Sequence, residues 1–323
     1  MIFMSDNGGI SGVKLYNAGM RGWKETYYNG GHRVPCFVRW PAGGLREPED
    51  IATPAEAQDI LPTLIDLCGL TQPQGVKFDG ASLAPLLRGK TSDALSQRMM
   101  VVQCALWDEY QAPHEWAGAV LWNQWQLFKG EELYDLRQDP GQERNIAGRH
   151  PEVVAKMRAF YTQWWNKVKP LAREYPPFHL GAKQEPLTQL TSHDWVAPNT
   201  ANQPQIREGI NRNGPWHVLV EQAGEYEIAL RRWPTELDIP LTAPAPAYHG
   251  KLADYPAGKV LLIAKARLQI AAIDEDQPVT SDMKAAVFKV KLPAGRTTLQ
   301  TWFYNAAGNQ LCGAYYMYCR KVK

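Results

Sequence analysis

A proline-bearing stretch, Lys169-Pro170-Leu171-Ala172-Arg173-Glu174-Tyr175-Pro176-Pro177, divides this 323-residue chain into two regions of different texture. Proline fixes φ and lacks an N–H donor, so such a run interrupts helices and central strands and suits a linker. Before it, apolar residues recur with both helical and strand periods. After it, they come as short runs near 216–221, 226–231, 260–264, 267–272, 286–292, 297–303 and 311–320, several separated by turn signals such as Pro293-Ala294-Gly295. The reading is a mixed α/β domain over 1–173, a linker over 174–184, and an all-β domain over 185–323, an antiparallel sandwich of jelly-roll type.

Bulk composition excludes several classes. Apolar content is 45%, charged content 21% and net charge +2, so charge balance points to no nucleic-acid or membrane-surface partner. No apolar run approaches the roughly 20 residues of a membrane span. Met1–Ser5 lacks the basic and long apolar regions of a signal peptide. The five cysteines, Cys36, Cys68, Cys104, Cys312 and Cys319, form no CxxC pair and read as buried free thiols.

In the first region, Met1–Ser5 and Cys36–Trp40 read as buried strands. A helix is expected over Asp59–Gly69, with Asp59 as N-cap and Leu61, Leu64, Ile65 and Cys68 on one apolar face. Ala119–Trp122 and Trp125–Phe128 read as a hairpin around Asn123-Gln124, and Pro151–Val168 as a second amphipathic helix.

The opening strand runs into Asp6-Asn7-Gly8-Gly9, a carboxylate and a carboxamide at a strand end, where α/β sheets usually hold their chemistry. The same residues also suit an ordinary turn. Two hard oxygen donors fit a divalent cation such as calcium, which needs further ligands from elsewhere. Lys24 follows in a glycine-rich segment that lets backbone approach a ligand, and its ammonium can hold an anion. His32 reads as structural, with a general-acid role as the alternative, and Arg33 as a buried anchor of its loop. Trp107-Asp108-Glu109 and His114-Glu115 read as a cleft rim, and Asp274-Glu275-Asp276 as a solvated loop.

Ser5-Asp6-Asn7-Gly8, Gly22-Trp23-Lys24 and Gly30-Gly31-His32-Arg33-Val34-Pro35, taken in order with Asp59–Leu64, Asp79–Leu87 and Glu132–Leu136 with Asp139-Pro140, Glu143 and Asn145, resemble the C-terminal half of a sulfatase catalytic domain. The resemblance covers 1 to about 168. It implies an alkaline-phosphatase-like α/β fold and hydrolysis of small-molecule or glycan sulfate esters, in the periplasm or outside the cell. It implies that Asp6 and Asn7 are ligands of calcium, and that Lys24 contacts the sulfate and the bridging oxygen, with His32 as a lesser substrate contact. The family's nucleophile is a formylglycine made within a C/S-x-P-x-R motif, which this sequence lacks. The expectation is that the nucleophile comes from a missing N-terminal segment, that the chain alone is inactive, and that strand and helix faces stand uncovered. Alternatives are a phosphate or phosphonate ester hydrolase of the same superfamily, or an inactive remnant carrying a carbohydrate-binding module whose aromatics include Trp195, Trp216, Trp233, Trp302, Tyr315 and Tyr316.

Overall fold

The computed structural model describes residues 1–103, 114–196, 202–251 and 253–322. Cys104 and Trp107-Asp108-Glu109 lie outside the described residues. The chain forms two compact units that divide between residues 173 and 174.

The first unit contains β1 (Ile2–Met4), α1 (Asn29–His32), β2 (Cys36–Val38), α2 (Ile60–Leu67), α3 (Ala84–Leu87), α4 (Asp93–Ser96), β3 (Met99–Gln103), β4 (Gly118–Trp122), β5 (Trp125–Phe128), β6 (Glu132–Asp135) and α5 (Pro151–Val168). Strands β3 to β6 form an antiparallel meander in sequence order. The β4–β5 hairpin turns at Asn123, whose φ of 54° suits asparagine at a tight turn. Side chains alternate across this sheet. Val120, Leu127 and Leu133 pack on one face against Val154, Met157, Tyr161 and Trp165 of α5. Gln126, Phe128 and Tyr134 belong to the other face, where Tyr28 stacks on Phe128 at 4.2 Å.

Two apolar elements lack the cover that their own pattern predicts, in line with the expectation that strand and helix faces stand uncovered. Among the described residues β1 pairs only with β2, antiparallel, and the pair is not buried: Phe3 is 60% and Phe37 62% exposed. In α2 the residue that is buried is Thr63, while Leu61, Leu64 and Cys68 are exposed. Periodicity marks the apolar face, but nothing among the described residues covers Leu61, Leu64 and Cys68. Cys36 and Cys68 are likewise exposed, whereas Cys312 and Cys319 are buried as expected.

Asp59 also departs from its expected role, because its side chain makes no N-cap bond to α2. It is fully buried and accepts from the backbone N–H of Glu56 at 2.8 Å and of Ala81 at 2.9 Å. Arg98 grips the same carboxylate with both guanidinium nitrogens, at 2.7 and 2.5 Å. Burial alone would raise this carboxyl, but Arg98 and the two backbone donors outweigh it and hold it below the usual range. Thr63 and Asp66 of α2 bind Leu83 N–H and the Ser82 hydroxyl, so the 79–87 motif is stapled onto α2.

The second unit has β7 (Phe178–Leu180), β8 (Leu187–Thr191), α6 (Gln203–Glu208), β9 (Trp216–Val220), β10 (Gly224–Arg231), β11 (Tyr248–His249), β12 (Asp254–Tyr255), β13 (Lys265–Ile270), β14 (Ile273–Pro278), β15 (Ala286–Leu292), β16 (Gly295–Tyr304), β17 (Gln310–Cys312) and β18 (Tyr316–Lys321). One sheet runs β15-β10-β18-β8, and another β14-β13-β16-β9-β7 with β17 beside β16. Side chains of both sheets, such as Ile228, Phe288, Val218, Leu268 and Phe303, share one apolar cluster. The stretch 174–184, expected as linker, contains β7, which pairs parallel with β9. Residues 260–264 form no strand. Residues 273–278 do, because Asp274 and Asp276 pair with Arg267 and Lys265 of β13 on an exposed face. The run 311–320 is broken at Gly313, and its two strands join different sheets.

Removing one partner of a buried ion pair strands the other charge. Arg98→Met should destabilise the first unit by about 3–5 kcal/mol, read as the shift of its transition in calorimetry. A loss below about 1 kcal/mol would show that the Glu56 and Ala81 amides suffice for Asp59.

Candidate active site

The Asp6–Gly9 turn and the Lys24–His32 segment are tied together through backbone. Gly8 N–H donates to Gly31 C=O, and Lys24 N–H to Gly9 C=O, each at 3.0 Å. Glycine is required by proximity: a Cβ on Gly8 would stand 1.8 Å from the Gly30 oxygen, and one on Gly30 2.2 Å from the Gly22 oxygen. These contacts bring together the backbone that carries Asp6, Asn7, Lys24 and His32.

Their side chains fare differently. The exposed Asp6 carboxylate accepts only the N–H of Asn7, at 2.9 Å. The Asn7 carboxamide and the Lys24 ammonium have no hydrogen bond or ion pair among the described residues, so the backbone is fixed and these polar ends are free. Arg33, expected as a buried anchor, is exposed and makes no side-chain bond among the described residues.

His32 is half-buried, with Nε2 at 3.3 Å from the Gln126 carboxamide nitrogen. Burial lowers its pKa to about 4, against the opposing pull of the Tyr27 carbonyl. Gln126 and Gln142, both fully buried, were not singled out from the sequence. Gln126 donates to Tyr27 C=O at 2.7 Å, and Gln142 accepts from Asn29 N–H at 2.8 Å. Arg21 lies 4.0 Å over the Tyr28 ring and donates to the Gln142 carbonyl at 2.8 Å. An isolated glutamine on a strand of alternating pattern gives little signal; its apolar neighbours Leu127 and Phe128 were the one hint that position 126 is interior.

Most of the remaining motif residues have structural work. Asn145 accepts from Leu133 and Ala147 N–H, and Asp139 from Glu143 and Arg144 N–H. In the second unit, Trp195, Trp216, Trp233, Tyr315 and Tyr316 are buried in the core. Trp302 is half-buried beneath Arg267 at 4.8 Å. None of these six offers an open aromatic platform.

Among the described residues no group of three His, Cys, Asp or Glu side chains could hold a metal. Calcium takes six to eight oxygen ligands, and Asp6 with Asn7 supplies two side-chain donors. The donor chemistry is right for a hard cation, but the set does not fit a complete site.

Residues 19–167 match the family model described as N-sulphoglucosamine sulphohydrolase, C-terminal. Over this stretch the chain is similar to the C-terminal region of sulfatases. Arylsulfatase K of Xenopus laevis is 24% identical over 242 residues, which is 72% of this chain and 41% of that protein. Steryl-sulfatase of Mus musculus is 28% identical over 205 residues, covering 54% of this chain and 31% of its own. The crystal structure of Ps i-CgsB is similar over 50% of this chain and 35% of its own, at 20% identity and a TM-score of 0.41, too slight a likeness to argue from. The chain thus spans well under half the length of these curated relatives. Of the expected site residues, Lys24 and His32 fall within the matched stretch and Asp6 and Asn7 precede it; the Lys24 ammonium is free among the described residues, whereas His32 meets Gln126. No helix of the described residues is long and apolar enough to cross a membrane.

Because His32 has a depressed pKa, the unfolded chain takes up its proton first as pH falls. Its stabilising contribution is complete above the unfolded value of about 6.5, declines as pH drops toward 4, and is flat below that. Urea titration should find the first unit about 2 kcal/mol less stable at pH 5 than at pH 7 from this source. His32→Gln should flatten that slope. Gly30→Ala should destabilise the unit at every pH, because its Cβ meets backbone.

Proposed function

We propose that this chain is the C-terminal portion of a sulfuric ester hydrolase, and that Lys24, Asp6 and Asn7 are its contribution to the active site. The observation that carries this reading is the set of free side-chain ends on a fixed backbone: Lys24 N–H is bonded to Gly9, yet its ammonium has no partner among the described residues. A cation held in this way suits an anionic ligand. Placed beside the bridging oxygen of a sulfate ester, it would stabilise the charge that grows there as the S–O bond breaks. Asp6 and Asn7 would be two ligands of a calcium ion completed by residues outside this chain, and the formylglycine nucleophile would come from the same source. His32 belongs to the wall of this site. The same reading places the protein in the periplasm or outside the cell, and divides the chain into a catalytic region over 1–173 and an accessory β-sandwich whose strand β7 lies in the stretch 174–184 expected as linker.

The exposed apolar faces of β1, β2 and α2 support the idea that more polypeptide packs there. Contiguous apolar surface of this kind usually marks an interface.

The test uses a protein in which this chain is joined to a segment bearing the C/S-x-P-x-R motif. Lys24→Ala should lower turnover of an aryl sulfate by about 100- to 1,000-fold, the scale for loss of one transition-state stabilising group. Near-unchanged turnover would remove Lys24 from the reaction. Faster cleavage of the matched phosphate ester than of the sulfate ester would favour the phosphoesterase alternative.

A further inference from the structure

We infer that Gln126 and Gln142 are positioning residues for the Lys24–His32 loop, and that they lock His32 as a hydrogen-bond acceptor at Nε2, with its proton on Nδ1. Asn29 N–H can only donate, so the Gln142 atom facing it at 2.8 Å is Oε1. The other end of that carboxamide is therefore Nε2, which donates at 2.8 Å to Gln126. Gln126 must meet it with Oε1, which turns the Gln126 nitrogen toward Tyr27 and His32. The far end agrees independently: Tyr27 C=O can only accept, and it lies 2.7 Å from Gln126 Nε2. Both carboxamide orientations are thus fixed from two directions.

The Gln126 nitrogen has two hydrogens. One goes to Tyr27, and the other points to His32 Nε2 at 3.3 Å. A proton on His32 Nε2 would set donor against donor at Gln126, and the Tyr27 carbonyl that also pulls on the ring already accepts from Gln126 at 2.7 Å; an unmet donor there costs about 1–3 kcal/mol. The imidazole therefore presents its lone pair there. The downward pull of burial on its basicity acts in the same direction.

This arrangement makes His32 neither an acid nor a cation beside Lys24. Its role is to complete a buried chain that runs from Asn29 through Gln142 and Gln126 and holds the loop at both Tyr27 and Asn29. The left-handed Gln142, with φ of 54°, is held in place by the same bonds and by Arg21 on its carbonyl. Only the consequence for a ligand beside Lys24 rests on the sulfatase reading. The hydrogen-bond assignment can be tested without any turnover.

The experiment is nitrogen-15 NMR of the histidine side chains in the full chain, with His32 assigned by the signal lost in His32→Gln. The expected result is a protonated Nδ1 and an unprotonated Nε2, unchanged from pH 8 to pH 5. An Nε2–H tautomer, or titration near the ordinary value of about 6.5, would overturn the inference. Two variants sharpen it. Gln126→Glu can only accept, so His32 should become protonated at Nε2 and its midpoint should rise by about 1 to 3 pH units. Gln142→Glu still accepts from Asn29 and should leave the His32 tautomer as it is. Equal effects of both variants would reduce the two glutamines to general packing. If Gln126→Glu fails to fold, the wild-type spectrum and Gln142→Glu still decide the matter.

Discussion

The docking of residues 17–32 on the open face of the β3–β6 sheet is the contact on which the rest of the first unit depends. Tyr28 on Phe128, Arg21 on the Gln142 carbonyl and the two buried glutamines fasten this segment from several sides. The three-residue β1–β2 pair has little stability of its own. It gains a defined place because Gly8 and Gly9 bond back to Gly31 and Lys24. Asp6 and Asn7 thus inherit their position from a sheet far along the chain. The placement of the first turn is thus tied, through residues 27–31, to hydrogen bonds made at positions 126 and 142.

Elements whose partners lie nearby in sequence were legible. The hairpin at 118–128 and helix α5 bury their apolar faces on each other, so pattern and packing agree. For β1 and α2, pattern and packing separate. Alternation and 3.6-residue spacing report which side is apolar, but they carry no information about what meets it. Leu61 and Phe3 are therefore correctly apolar and yet exposed. In the second unit the failures have a different cause. The acidic run 274–276 looked too polar for a strand, but an edge strand with one solvated face accepts carboxylates when cations stand opposite. Arg267 and Lys265 do so. Residues 260–264 look strand-like and are held by single backbone bonds to Thr242 and Tyr304 instead of by a ladder.

The site divides along a similar line. Residue types with a known chemical use, such as Asp6, Asn7 and Lys24, could be singled out because carboxylate, carboxamide and ammonium groups at a glycine-rich strand end suggest a ligand. Gln126, Gln142 and Arg98 could not, since their importance lies in long-range geometry. A glutamine becomes significant only when it is seen to be fully buried with a backbone group at each end.

That contrast also explains what a motif match conveys. Within the matched region, Asp59, Ser82, Asp139 and Asn145 are consumed by bonds to backbone or to neighbouring side chains. Their recurrence would follow from folding alone and says nothing about substrate. A functional claim gains force from the residues that remain once such bonds are subtracted. Lys24 and Asn7 survive the subtraction among the described residues, and Asp6 nearly so, with one local N–H on its carboxylate. His32 does not survive it, because its Nε2 is already engaged by Gln126. The free groups carry two charges of opposite sign on segments joined by two backbone bonds, Gly8 to Gly31 and Lys24 to Gly9. On the proposed reading, the two charges, each on glycine-packed backbone, would each have a ligand of its own, a cation for Asp6 and an anion for Lys24.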